Sequence, residues 1–196
     1  MTRLVQYPEV NKNHEMCDSE EWRGVVRDSI LPWAIGEIDL GEDVLEVGAG
    51  YGATTDVLGA SVPRLTAVEI DPLLVELLTR RFAENSSVVI EEGDATALRF
   101  RDSSFSGAVS FTMLHHVATA ELQDRPFHEV SRVVRSGAPF VAGDSVGSPD
   151  LEALHDGDIY NPVNPDDLAD RLEAVGFSGV EVKTNPFGWS AVAWKP

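Results

Sequence analysis

One cysteine, Cys17, stands in 196 residues. That excludes an intramolecular disulfide and any metal cluster built on cysteine thiolates, and it suits a reducing compartment. Lysine is nearly as scarce, present only as Lys12, Lys183 and Lys195, and 15 Lys+Arg face 33 Asp+Glu for a formal charge of -18. A surface of that sign repels phosphate backbones, so nucleic acid is expected not to be a partner. No stretch approaches the roughly 20 consecutive apolar residues needed to cross a bilayer, and the N-terminus lacks a basic region followed by an apolar one. The expectation is a cytoplasmic protein, monomer or homodimer, with no membrane partner. Repeats, low-complexity tracts and interdomain linkers are also missing, so residues 1–196 read as one domain.

What is present has a regular grain. Residues 1–17 are polar and irregular and read as an arm carrying His14. From 18 to 38 a helical segment is expected: Asp18 with Glu21 resembles a capping box, and Trp22, Val25, Val26, Ile30 and Trp33 recur at helical spacing. Pro32 should kink or divide it, and the two tryptophans are expected to pack, not to touch a ligand. Over 40–196 the chain alternates. Strands are expected at 43–47, 64–69, 87–92, 105–112 and 138–144, with helices near 53–61, 71–83 and 119–135 between them. Asp71-Pro72 and Asn164-Pro165 each read as a helix start, and Gly176 as a helix stop. Two last strands, near 177–184 and 188–195, flank the turn Asn185-Pro186-Phe187-Gly188. The fold class is therefore α/β, a Rossmann-like doubly wound seven-stranded sheet. It should be mostly parallel, with a C-terminal antiparallel hairpin strand and helices on both faces.

In such a sheet the carboxyl ends of the strands hold the ligand. The first strand runs into Glu46-Val-Gly-Ala-Gly-Tyr-Gly52, where glycines at 48, 50 and 52 allow a tight turn and a close backbone approach. A glycine-rich βα turn needs no ligand, but carboxylates at neighbouring strand ends point to a nucleoside. Glu69, ending the second strand, offers two acceptor oxygens to a pair of ribose hydroxyls, and Asp94, after the third, can accept from an exocyclic adenine amine. Ile70 and Ala95 would sandwich the ring.

These segments together resemble the class I S-adenosylmethionine-dependent methyltransferases over roughly residues 40–195. Val44–Gly52 looks like their first motif, Val68-Glu-Ile-Asp71 like the ribose-binding acidic strand end, and Gly93–Phe100 like the adenine-binding loop. Phe111-Thr-Met-Leu-His-His-Val117 is similar to a stretch common in members acting on small molecules, and Val130–Gly137 to the helix before strand five. The resemblance implies S-adenosylmethionine as cofactor. Its site would comprise Gly48, Ala49, Gly50, Gly52, Glu69, Ile70, Asp94, Ala95 and Phe111, with Glu46 helping to hold the ligand's amino group. Methyl transfer from a sulfonium asks the protein for alignment, water exclusion and, for some acceptors, proton removal, so no metal is expected.

The acceptor is expected to be a small molecule, since the chain lacks the Asp/Asn-Pro-Pro-Tyr/Phe segment of amino-methylating enzymes and Cys17 stands too early for a cytosine-C5 nucleophile. His116, after the fourth strand, could be a general base or merely cap the next helix. Asp144, ending the fifth strand, could accept a proton or face solvent; His155 and Tyr160 fall in a segment that often builds a lid in the resembled family. His14 could close over the same space. Two other functions stay open: a module that binds the cofactor without turnover, and an NAD-dependent oxidoreductase, onto whose glycine fingerprint Gly48–Ala53 can be forced. Acidic Glu46, Asp71 and Asp94 suit a diphosphate cofactor poorly.

Overall fold

The computed structural model describes residues 16–196, so the expected site residue His14 lies outside the described residues. The helical segment starts one residue later than Asp18 predicts. Ser19 Oγ accepts the Trp22 amide at 3.1 Å and caps α1 (Glu20–Val25), while Asp18 pairs with Arg23 instead. A widened π-type turn, Val26–Ile30, then leads into α2 (Leu31–Ala34). The break thus precedes Pro32: proline has no amide for the carbonyl four residues back, and a wider turn takes up the gap.

The sheet contains β1 (Asp43–Val47), β2 (Arg64–Glu69), β3 (Val88–Glu92), β4 (Gly107–Phe111), β5 (Pro139–Ser145), β6 (Ser178–Thr184) and β7 (Gly188–Trp194). Their order is β3-β2-β1-β4-β5-β7-β6, with β7 antiparallel to both neighbours and the other pairs parallel. The β6–β7 hairpin turns as predicted, because Asn185 Oδ1 accepts the amides of Phe187 and Gly188 at 2.8 and 2.9 Å.

Successive residues on a strand face opposite ways, and both faces are covered. Leu45, Phe140 and Ala142 join Phe127 and Val130 of α5 (Ala120–Val133) and Leu168 and Leu172 of α7 (Leu168–Ala174) on one side. Val44 and Val141 meet Val26 and Leu31 of the first helical segment and Leu58 of α3 (Ala53–Ser61) on the other. Each such fully buried aromatic or leucine stabilises the fold by about 1.5–3 kcal/mol. α4 (Pro72–Arg81) begins as expected, with Asp71 Oδ1 accepting the Leu73 amide at 2.8 Å, and its Leu78 packs on Ala49 and Ala67.

Two elements depart from expectation. α7 starts at Leu168, not at Asn164-Pro165, because Asn164 Oδ1 accepts the Asp166 amide at 3.2 Å and holds a turn first. α6 (Pro149–Leu154) was not foreseen, although Ser148-Pro149 is a cap followed by a first-turn proline; Ser148 Oγ accepts the Leu151 amide at 3.2 Å. Among the described residues no helix is long and apolar enough to cross a membrane.

Candidate functional site

Strand order reverses between β1 and β4, and a cavity of about 720 Å³ opens at their carboxyl ends. The three glycines after β1 all have positive φ, +80° at Gly48, +54° at Gly50 and +81° at Gly52, yet they serve different ends. A Cβ on Gly48 would lie 2.2 Å from Met113 Cγ, and one on Gly52 would lie 2.6 Å from Leu78 Cδ2. Around Gly50 nothing lies within 4 Å. Gly48 and Gly52 are therefore demanded by packing as well as by φ, whereas Gly50 borders open space. Gly48, Ala49 and Gly50 line the cavity; Gly52 does not, since it faces Leu78 at the head of α3.

Glu69 is 7% exposed and its carboxylate is held by the backbone. Oε2 accepts the Gly50 amide at 2.7 Å, and Oε1 accepts those of Ile70 and Asp71 at 2.8 and 3.0 Å. The end of β2 is thereby tied to the glycine loop after β1. Asp94 uses Oδ1 for the amide and hydroxyl of Thr96, both at 2.8 Å. Ile70, Asp94, Ala95 and Phe111, expected to contact the cofactor, line the same cavity.

Glu46 behaves differently. It is 1% exposed, outside the cavity lining, and its Oε2 accepts the Thr55 hydroxyl at 2.8 Å. Burial pushes its carboxyl up to about 8, and nearby Glu69 and Asp56 add to the rise while Thr55 opposes it. At neutral pH it is mostly a neutral acid, anchoring α3 to β1 rather than offering a charge to a ligand.

At the end of β4 Thr112 takes a left-handed φ of +52° and donates its amide to Gly143 O at 2.9 Å. The chain then enters a tight turn, Leu114–His116. His115 is clamped to β5: its amide reaches Asp144 Oδ2 at 3.1 Å and its Nδ1 meets Asp144 Oδ1 at 2.6 Å. Asp144 also accepts the Ser145 amide at 2.7 Å, and it does not line the cavity. The expected role at the acceptor thus gives way to one of holding His115. His155, just after α6, has Nδ1 2.6 Å from Leu151 O. Its ring stacks on Tyr160 with centroids 4.5 Å apart, so Tyr160 braces His155 from outside the cavity lining instead of contacting an acceptor. His115, His116 and His155 all face the cavity, and their ring centroids are 4.1–5.2 Å apart.

Sequence reasoning missed one wall. Trp22, Val26 and Ile30, on helical spacing that reads equally as core packing, line the cavity, and so does Cys17. Burial raises the Cys17 thiol's pKa. Arg125 of α5 also reaches the cavity, and among the described residues it has no acidic partner.

Residues 45–142, half of the chain, match the sequence family described as "Methyltransferase domain". Ribosomal RNA small subunit methyltransferase A of Geobacter sulfurreducens is 48% identical over 62 residues, covering 32% of this chain and 22% of that protein. Demethylmenaquinone methyltransferase of Clavibacter sepedonicus is 28% identical over 136 residues, covering 69% of this chain and 51% of that one. The chain thus spans about a fifth to a half of the length of these curated relatives. A Haemonchus contortus phosphoethanolamine N-methyltransferase 2, solved with phosphomonomethylethanolamine and S-adenosylhomocysteine, superposes with a TM-score of 0.72 at 15% identity, over 87% of this chain and 52% of its own, a likeness of fold.

These findings correct two expectations. The exclusion of nucleic acid in favour of a small-molecule acceptor is overturned by relatives named for ribosomal RNA. Net charge is a sum over the whole surface, and it does not decide what reaches one cavity. The nicotinamide alternative is set aside as well, since the matched segment holding the glycine loop, Glu69 and Asp94 is a methyltransferase domain.

Proposed function

The chain belongs to the class I S-adenosylmethionine-dependent methyltransferases, and on that premise we propose that it moves the methyl group of S-adenosylmethionine, in line, onto a nucleophilic atom of an acceptor bearing an anionic group. The carrying observation is Glu69, whose two oxygens are fixed by three backbone amides at the cavity wall. Held so, it is preorganised for the vicinal hydroxyls of a ribose, and the open space at Gly50 leaves room for the rest of the cofactor. Glu69 and Asp94 would bind the nucleoside, and the apolar wall of Trp22, Val26 and Ile30 would keep water from the sulfonium. In the transfer an acceptor lone pair attacks the methyl carbon, the carbon–sulfur bond breaks, and sulfur keeps the electrons as a neutral thioether; the acceptor's proton leaves to solvent.

Arg125 supports the anionic group, because a cavity cation with no acidic partner among the described residues is available to a carboxylate or phosphate. Ribosomal RNA, in the name of one relative, carries such groups and belongs in the acceptor panel. Calorimetric titration with S-adenosylmethionine and S-adenosylhomocysteine tests the cofactor half: both should bind, and failure of both sinks the proposal. Release of S-adenosylhomocysteine across the acceptor panel tests the other half. Arg125→Ala should raise KM for the true acceptor while leaving kcat within about twofold, the signature of lost uniform binding.

A further inference from the structure

We propose that His115, His116 and His155 bind a divalent transition-metal ion of the zinc type, leaving a coordination position open to the cavity. One ring nitrogen from each histidine lies within 4.8 Å of the others. Tetrahedral zinc with nitrogen ligands at about 2.0–2.1 Å needs those nitrogens about 3.3 Å apart. The rings must turn inward to close that difference. The donor set selects the ion: three imidazole nitrogens suit zinc and its transition-metal neighbours, whereas magnesium and calcium want oxygen.

The hydrogen bonds behind the rings make the case stronger than proximity does. Asp144 accepts from backbone amides at both oxygens, so it is a carboxylate acceptor, and the His115 Nδ1 that meets it must carry the proton. Leu151 O can only accept, so His155 Nδ1 carries its proton too. Both rings are thereby fixed as the tautomer whose lone pair is on Nε2. A ring nitrogen tied to a carboxylate or a backbone carbonyl behind the ligating one is the arrangement that orients metal-binding histidines. A buried imidazole N–H needs an acceptor in any setting; here the two acceptors also fix how the rings are turned. His115 and His155 are buried, 7% and 5% exposed, and His116 is half-buried at the cavity side, so the cluster opens toward the ligand space and not to bulk water.

The metal site itself is independent of methyl transfer; its use in catalysis rests on the function proposed above. An acceptor hydroxyl taking the open position would bind as its alkoxide or phenolate, having lost its proton to water. Its oxygen would then attack the methyl carbon as the carbon–sulfur bond breaks toward sulfur. The acceptor class is thus one with an ionisable hydroxyl.

The test uses the full chain, freed of metal by dialysis against a chelator and titrated with Zn2+ alone in excess Mg2+. One ion should bind per chain, His115→Ala and His155→Ala should each weaken it at least tenfold, and Asp144→Asn, which removes no ligand, should weaken it about 10- to 100-fold. Co2+ on the unaltered chain should show the intense visible bands of tetrahedral coordination. Zinc uptake abolished by Mg2+, or unchanged in both histidine variants, overturns the proposal. S-adenosylhomocysteine titration and a melting curve on each variant report folding, and the cobalt spectrum stands without any variant. If S-adenosylhomocysteine binds and zinc does not, the metal site falls and methyl transfer survives; if zinc binds and S-adenosylhomocysteine does not, the metal site stands and methyl transfer falls.

Discussion

Thr55 donates its hydroxyl to Glu46 across 2.8 Å in a chamber where both side chains are sealed from solvent, 0% and 1% exposed. Folding therefore shuts an acid away, and burial is the largest cause of its rise from 4.5 to about 8.

The sign of the resulting pH dependence follows. In the unfolded chain the carboxyl ionises at its ordinary value, in the folded chain at about 8. Its contribution is whole below the unfolded value and is lost as pH climbs through the folded one. Each tenfold change in an ionisation constant is worth about 1.4 kcal/mol, so a few kcal/mol are at stake. Melting temperatures between about pH 5 and pH 9 should fall with pH, and Glu46→Gln, which cannot ionise, should flatten that slope. An unchanged slope in the variant would show that Glu46 is not the group responsible.

Removing Glu69 should cost binding and order together. In Glu69→Ala three backbone amides lose their acceptor, and hydrogen bonds to a charged group contribute about 1.5–3 kcal/mol each. Affinity for S-adenosylmethionine should fall on the order of a hundredfold by calorimetry, with a lower melting temperature. Glu69→Gln, which keeps one acceptor oxygen, should lie between.

The glycines can be separated by the same pair of measurements. Gly50→Ala meets no protein atom within 4 Å and suffers only a left-handed φ, a strain of about 1–2 kcal/mol; it should fold yet bind cofactor poorly because the new methyl enters ligand space. Gly48→Ala puts a Cβ 2.2 Å from Met113 Cγ and should chiefly lower stability. Equal behaviour of the two variants would contradict this division.

Asp56 joins two walls. It pairs with Arg23 of α1 at 3.2 Å and with Arg81 of α4, whose guanidinium also donates to Tyr51 O at 2.9 Å. Asp56→Asn should loosen the first helical segment, seen as faster proteolysis near residues 20–38 and about a fivefold loss of cofactor affinity. Exposed pairs contribute little singly, so high salt should reproduce part of the effect in the unaltered chain.

Strand positions and the expected cofactor side were legible because local rules decide them: short apolar stretches for β1 and β2, Asp71-Pro72 for α4, glycine spacing for the loop. The acceptor side was not. Asp144 and His115 stand 29 residues apart, and their pairing follows from β4 lying beside β5. His155 caps the end of a helix of six residues whose hydrophobic pattern is too short to read. Trp22 serves core and cavity at once, and periodicity cannot tell one face from the other. Charge misled for a related reason, being a total with no address.

Residues 112–116 leave β4 at a left-handed threonine, seat Met113 under Gly48, and clip His115 to Asp144. Those few peptides act as a gauge block between the glycine loop and the histidine cluster. The spacing of the two is set along one short length of chain, so a single-residue insertion there would put them out of register even with every strand in place.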